Sequence, residues 1–117
     1  MVDKDGMIKT VIGTGKAGNK GVGGPALNTE LNGPKHLCAD NDGTILIADT
    51  ENHRVLRYHP KTETTSLVAG TEKKGTAGVD GPPENVELFQ PHGVQISPKG
   101  ELFITDSFNN RILKIVK

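Results

Sequence analysis

The chain has 117 residues, and its 14 Lys and Arg residues balance 14 Asp and Glu residues. Zero net charge leaves no long-range positive field, which argues against nucleic acid or an anionic membrane as a partner. Fifteen Gly, seven Pro and a hydrophobic content of 33% favour a soluble, turn-rich all-β protein over a helical protein or a membrane span.

The strongest pattern in the sequence is an internal repeat. A shift of 57 residues places Pro34 on Pro91 and Asp49 on Asp106 without a gap. Two copies of this unit account for almost the whole chain. One structural unit is therefore used twice, and proteins of this kind bury their core by stacking units.

In chain order, the predicted segments are 1–15 with a first strand at 7–14, a Gly-rich linker at 16–33, a full unit at 34–70, a second linker at 71–90 and a last unit at 91–117. Short apolar runs between turns predict four strands in the full unit and three in the last unit. The four strands fall at residues 35–39, 44–48, 55–59 and 64–69. In the second linker, Pro82 opens a predicted helical turn within residues 82–88.

Tight turns connect the predicted strands. Asn41, Asp42 and Gly43 predict a hairpin in the full unit, and residues 98–100 predict one in the last unit. Four antiparallel strands per repeat are typical of a β-propeller blade. The predicted fold is therefore an all-β propeller with two four-stranded blades per chain.

The blade sequences resemble the NHL-repeat family, whose blades read as Pro, a strand, Asp-Gly, a second strand ending in Ala-Asp, Asn-His-Arg and a third strand. In the full unit, the matching residues are Pro34, Asp42, Gly43, the run 45–49, Asn52, His53 and Arg54. In the last unit they are Pro91, Gly100, the run 102–106, Asn109, Arg111 and Ile112, with Asn110 where the family has His. The resemblance is specific for the fold but not for the function, since the family includes ligand-binding scaffolds, RNA-binding modules and a lyase.

The last unit lacks a fourth strand, and residues 7–14 align with such a strand. We therefore expect the N-terminal strand of one chain to complete the C-terminal blade of a neighbour in a head-to-tail interface. The resemblance implies six blades, so three chains would form a closed homotrimer. Rings of four or eight blades remain open, because the sequence does not fix the angle between blades.

Two motifs with a chemical association are interpreted as loops. Residues 13–18 match G-x-G-x-x-G, but no helix of useful length follows, and the second copy has Glu72 at the middle glycine. Residues 40–43 resemble part of a calcium loop but lack the later acidic ligands, so a hairpin turn is favoured.

Candidate ligand residues lie on the innermost strands. His36 and Cys38 share one face and are weak candidates for a metal site. Lys35 and His92 occupy matching positions at the predicted channel rim and are candidates for ligand contact. No catalytic motif is recognised, and no cofactor is predicted.

Three residues recur in both units and are predicted to be structural: Asp49, Asn52 and Arg54, repeated as Asp106, Asn109 and Arg111. We predict that Asp caps backbone N–H groups of the turn and that Asn takes a left-handed corner. Arg is predicted to pair with a carboxylate or to bond loop carbonyls.

The predicted function is a non-catalytic propeller building block that self-assembles into a ring and offers its loop face to a protein or small ligand. The alternative is a propeller enzyme of the metal-dependent lyase or lactonase type, with its site on the channel axis. For that site the inner strands offer only His36, Cys38, Asp40 and His92.

RNA binding, a third hypothesis, would need a basic face bearing aromatic residues. No targeting segment is recognised, and the compartment stays unknown.

Overall fold

The computed structural model describes residues 6–116 and is built from strands and short 3-10 turns. Blade 1 is a four-stranded antiparallel sheet and blade 2 a three-stranded one, each with its strands in chain order. The strands are β1 His36–Ala39, β2 Ile45–Asp49, β3 Arg54–His59, β4 Thr64–Ala69, β5 Gly93–Ile96, β6 Leu102–Asp106 and β7 Arg111–Ile115. Within the described residues, no helix is long and apolar enough to cross a membrane.

The hairpin predicted between β1 and β2 is confirmed. Gly43 has a φ of 88°, a conformation that other residues resist, and its N–H donates to the carbonyl of Asp40. Oδ1 of Asp42 accepts the N–H and the hydroxyl of Thr44 at 3.0 and 2.6 Å. The Asp42 carboxylate therefore serves the turn itself.

The 3-10 turns also follow the repeat: Ala26–Asn28 and Pro83–Asn85 in the linkers, and Thr50–Asn52 and Ser107–Asn109 after β2 and β6. The helical turn predicted within 82–88 is confirmed as one of them.

The main core lies between the two blades. We define the front face of a blade as the side that carries Leu46, Ala48 and Val55 in blade 1, and the back face as the side that carries Leu102 and Ile104 in blade 2. The core is formed by the front face of blade 1, the back face of blade 2 and part of the second linker. Its buried residues are Leu46, Ala48, Val55, Ala69, Val86, Leu88, Val94, Leu102 and Ile104. Full burial of each larger side chain stabilises the fold by roughly 1.5–3 kcal/mol. The blades therefore stack front to back.

A second, smaller cluster covers the back face of blade 1. Ile47 and Tyr58 are buried there together with Ala26 of the first linker. Val11 and Ile12 pack against this cluster. The chain before the first linker thus occupies the side on which a preceding blade would stack.

The first linker also pairs with the outer strand of blade 1. The N–H of Thr65 donates to the carbonyl of Gly24 at 3.1 Å, and the N–H of Gly23 donates to the carbonyl of Thr65 at 3.0 Å. Strand β4 therefore lies between β3 and the linker. In blade 2 the described residues provide no such strand beside β7.

The segment 7–14, predicted as a strand, contains only an isolated bridge at Ile8 and no strand of its own in this single chain. A strand needs a hydrogen-bonding neighbour, and none of the described strands pairs with this segment. Of the predicted segments, 1–15 and 91–117 extend to residues 1–5 and 117, which lie outside the described residues.

Candidate functional site

A buried carboxylate organises the turn after β2. Oδ1 of Asp49 accepts the backbone N–H of Asn32 at 2.8 Å. Oδ2 accepts Nδ2 of Asn52 at 2.9 Å and Nε of Arg54 at 2.7 Å. The Asp49 and Arg54 side chains are 0% and 1% exposed, so each charge is paired and hydrogen-bonded in the interior. We call this group the blade 1 node.

Arg54 connects the blade 1 node to both linkers. Nη2 donates to the carbonyl of Glu30 at 2.9 Å, and Nη1 donates to the carbonyl of Asn19 at 3.1 Å. Nη1 also contacts the carboxylate of Glu72 at 2.7 Å. One guanidinium therefore fixes the loop face of blade 1.

The same node is present in blade 2. Asp106 accepts Nδ2 of Asn109 at 2.9 Å and Nε of Arg111 at 2.7 Å, the same distances as in blade 1. Nη2 of Arg111 donates to the carbonyl of Glu87 at 3.0 Å. Arg111 is 24% exposed and pairs with no second carboxylate among the described residues. Repetition of this geometry indicates a structural role for both nodes.

Two of the roles predicted for the node residues are wrong. Asp49 makes no capping bond to its own turn, because its carboxylate is used by the linker N–H of Asn32. The left-handed corner falls one residue later than predicted, on His53 with a φ of 53° and on Asn110 with a φ of 56°. Asn52 instead stays buried, where Nδ2 reaches the carbonyl of Gly18 at 2.6 Å.

The metal and enzyme candidates of the inner strand make separate contacts. His36 is exposed, and its Nδ1 accepts the N–H of Val94 at 3.3 Å. Burial raises the pKa of the half-buried Cys38 thiol. Asp40 pairs with Arg57 at 2.8 Å. Among residues 6–116, no three His, Cys, Asp or Glu side chains are grouped so that they could hold a metal ion.

The two rim candidates do occupy matching positions. The N–H of Lys35 donates to the carbonyl of Ala48, and the N–H of His92 donates to the carbonyl of Thr105, both at 3.2 Å. Lys35 is exposed, whereas His92 is half-buried and stacks on Phe108. The resemblance between the two positions therefore ends with the backbone.

Beside His92 lies a cluster that the sequence predictions missed. Phe89 and Phe108 are tilted against each other with ring centres 5.3 Å apart, and Nζ of Lys74 lies 5.3 Å from the Phe89 centre. We call Lys74, Phe89, His92 and Phe108 the aromatic patch. The sequence does hold a signal for it, since the repeat counterparts of Phe89 and Phe108 are the polar residues Asn32 and Glu51.

Comparison with known proteins gives the same family as the blade sequences. The NHL repeat model matches residues 31–58. The chain is 34% identical over 98 residues to Protein SUPPRESSOR OF QUENCHING 1, chloroplastic, of Arabidopsis thaliana, an alignment that covers 84% of this chain and 9% of that protein. It is 27% identical over 119 residues to NHL repeat-containing protein 2 of Homo sapiens, covering 97% of this chain and 16% of the human protein. The chain thus spans less than a fifth of these curated relatives.

A solved structure supports the fold. A Bacteroides thetaiotaomicron protein of unknown function superposes with a TM-score of 0.78 at 20% identity, over 97% of this chain and 28% of that chain. An identity this low bears on the fold alone. Together, the repeat match, the two similar proteins and the front-to-back blades show that the chain belongs to the NHL-repeat family.

Proposed function

We propose that this NHL-type chain is a non-catalytic propeller building block that associates head to tail into a closed ring and serves as a protein-binding scaffold. Six blades, the number implied by the NHL resemblance, would require three copies. A heterologous interface of this kind closes when its rotation is a simple fraction of a circle.

The uncovered front face of blade 2 carries the proposal. Ile112 is 63% exposed there, and its counterpart Val55 is fully buried between the blades. Val55 belongs to the core that also contains Leu102 and Ile104 of the back face of blade 2. Because the repeat gives both blades related faces, the internal interface is a template for one between copies. Burying an exposed apolar face favours such association.

A cleft beside β7 supports the same arrangement. Its volume is about 530 Å³, and most of its lining comes from the second linker, β7 and the residue after β7, with one residue each from β4 and β6: Ala69, Gly78, Val79, Asp80, Gly81, Pro83, Val86, Ile104, Ile112, Leu113, Lys114, Ile115 and Val116. In blade 1 the counterpart linker residues Gly23 and Gly24 pair with β4. The cleft is therefore the position that a fourth strand would take in blade 2.

Residues 7–12 are the repeat counterpart of β4 and supply a suitable strand. Ile8 is 80% exposed, so it gains apolar contact if the segment enters the cleft of a neighbouring copy. Pairing with β7 would also satisfy the edge of β7 that no described strand covers, since exposed edges otherwise promote uncontrolled association. The donated strand and the stacked faces belong to one continuous interface.

The scaffold role is supported by the distribution of the polar residues. One node is present in each blade and holds a linker. The inner-strand candidates His36 and Asp40 bind different partners, Val94 and Arg57. A rigid loop face above stacked blades is a surface suited to partner binding. Catalysis would instead require side chains that converge on the channel axis.

The substitution Ile112→Glu tests the proposal, because it places a carboxylate on the front face. We expect sedimentation velocity to show a smaller species than for the unmodified chain. Leu27→Glu is the matched control: Leu27 is also exposed, and its counterpart in the second linker is Glu84, so stacking tolerates this change. Equal sedimentation of the two variants would contradict front-to-back association.

A further inference from the structure

The aromatic patch is an open surface on the loop face. Phe108 is 55% exposed, and its ring stacks on His92 with centres 5.9 Å apart. Its other neighbour is Phe89, whose ring also forms a T-shaped pair with the ring of His53. Two of the three phenylalanines of the chain therefore meet at one exposed site.

The backbone beneath the patch is held by the blade 2 node. The N–H of Phe89 donates to Oδ1 of Asp106 at 2.8 Å, and the N–H of Phe108 donates to the carbonyl of Phe89 at 3.1 Å. The N–H of Gln90 donates to Nδ1 of His53 at 3.0 Å. The rings are thus presented from a fixed surface, which lowers the entropy cost of binding a partner.

The backbone of this turn can form without aromatic side chains. In blade 1 the same two backbone bonds are made by polar residues: Asn32 donates to Asp49, and Glu51 donates to the carbonyl of Asn32 at 3.0 Å. The backbone of the turn is therefore compatible with Asn and Glu at these positions. A role outside the fold best explains why blade 2 carries Phe at both.

The charge of the patch differs from that of its blade 1 counterpart. Exposed Glu51 is replaced by the apolar Phe108, and Ala17 is replaced by Lys74. Lys74 contacts the face of Phe89 and forms no ion pair among residues 6–116. The patch therefore combines the exposed apolar surface of Phe108 with one cation, Lys74, that has no carboxylate partner among the described residues.

We propose that the aromatic patch docks a protein segment that carries an aromatic or aliphatic side chain next to Asp or Glu. The apolar side chain would pack on Phe108, and the carboxylate would pair with Lys74. This inference names the partner chemistry of the scaffold role proposed above and rests on it. It does not depend on how many copies form a ring.

The geometry favours a peptide over single-stranded nucleic acid. Base binding needs open ring faces and a basic groove that follows the backbone. Here Lys74 lies over Phe89, and His92 covers one face of Phe108. The chain as a whole has no net charge.

Four fluorescein-labelled probes test the proposal by anisotropy at low salt, each titrated to about 1 mM, a range suited to weak contacts. They are the peptides Glu-Phe-Glu-Phe-Glu, Glu-Ser-Glu-Ser-Glu and Lys-Phe-Lys-Phe-Lys, together with oligouridine. We expect saturable binding of the first peptide, with NMR shifts confined to the aromatic patch. The other three probes should bind at least about tenfold more weakly.

The repeat supplies variants that the fold accepts. Phe108→Glu and Lys74→Ala introduce the residues that blade 1 has at the counterpart positions. Each should weaken binding of the peptide Glu-Phe-Glu-Phe-Glu, and Phe108→Glu should reduce its affinity by about tenfold or more. Glu51→Gln, at the counterpart turn, should leave the affinity unchanged. NMR spectra establish that each variant keeps its blades folded.

Three results would overturn the proposal. They are equal affinity for the Phe- and Ser-containing acidic peptides, tighter binding of oligouridine, and unchanged peptide affinity in folded Phe108→Glu. Loss of the ring with retained peptide binding would contradict only the proposed assembly, so the two proposals fail separately.

Discussion

The N–H of Gln90 in the second linker donates to Nδ1 of His53 in blade 1 at 3.0 Å, and this bond joins the two halves of the repeat. Nδ1 must be unprotonated to accept it. Burial lowers the pKa of His53; Lys74 acts in the same direction, while Glu51 and Asp106 oppose it. The folded chain therefore binds a proton at this site less readily than the unfolded chain.

The first prediction is an acid-sensitive contribution of His53 to stability. A His with a lowered folded pKa contributes stability above its unfolded value of about 6.5, and this contribution is lost as pH falls from there through the folded pKa. We measure the unfolding free energy by urea denaturation at fixed protein concentration. Between about pH 7.5 and 5.5 this free energy should fall less for His53→Asn than for the unmodified chain. Asn is suitable because Asn110 takes the same left-handed corner.

At the higher pH, His53→Asn should cost about 0.5–1.5 kcal/mol for the lost hydrogen bond. If the unfolding free energies of the variant and the unmodified chain change equally with pH, protonation of His53 does not contribute to the pH dependence of stability.

A second prediction compares the two node arginines. Arg54→Ala should cost about 3–5 kcal/mol of unfolding free energy, because it leaves the carboxylate of Asp49 buried without its charge partner. Arg111→Ala should cost less, since Arg111 is 24% exposed in the single chain and, unlike Arg54, has no second carboxylate partner among the described residues. Chemical denaturation of both variants provides the measurement. Equal costs would contradict the greater importance of burial at the blade 1 node.

A third prediction concerns Gly21 and Gly23, which have similar φ values of 90° and 93°. A Cβ at Gly21 would overlap the carbonyl oxygen of Asn28, whereas a Cβ at Gly23 meets nothing within 4 Å. Both alanine variants carry the strain of a positive φ. Gly21→Ala should therefore lower the melting temperature by several degrees more than Gly23→Ala. Equal melting temperatures for the two variants would mean that the linker backbone shifts at little cost to accommodate the added Cβ.

The sequence predicted the strands of both blades because their alternation is local and the turn residues are specific. Gly43 shows why, since its positive φ is a requirement of the hairpin and needs no knowledge of distant contacts. The repeat also identified both nodes, because Asp49 and Arg54 recur with their contacts.

Long-range contacts could not be predicted in the same way. The role of Asp49 depends on Asn32, 17 residues away, so the expectation of a local cap was wrong. The aromatic patch lies at positions where the two copies differ, so the residues that they share give no indication of it. Phe89 and Phe108 stand out only when compared with Asn32 and Glu51.

Head-to-tail assembly is tested most directly by the absolute mass of the 117-residue chain in solution, measured by light scattering coupled to size exclusion. We predict three times the 12.4 kDa chain mass, as expected for a six-bladed ring. A folded, monodisperse species of 12.4 kDa would contradict head-to-tail assembly, because the front face of blade 2 would then be stable without a second blade against it.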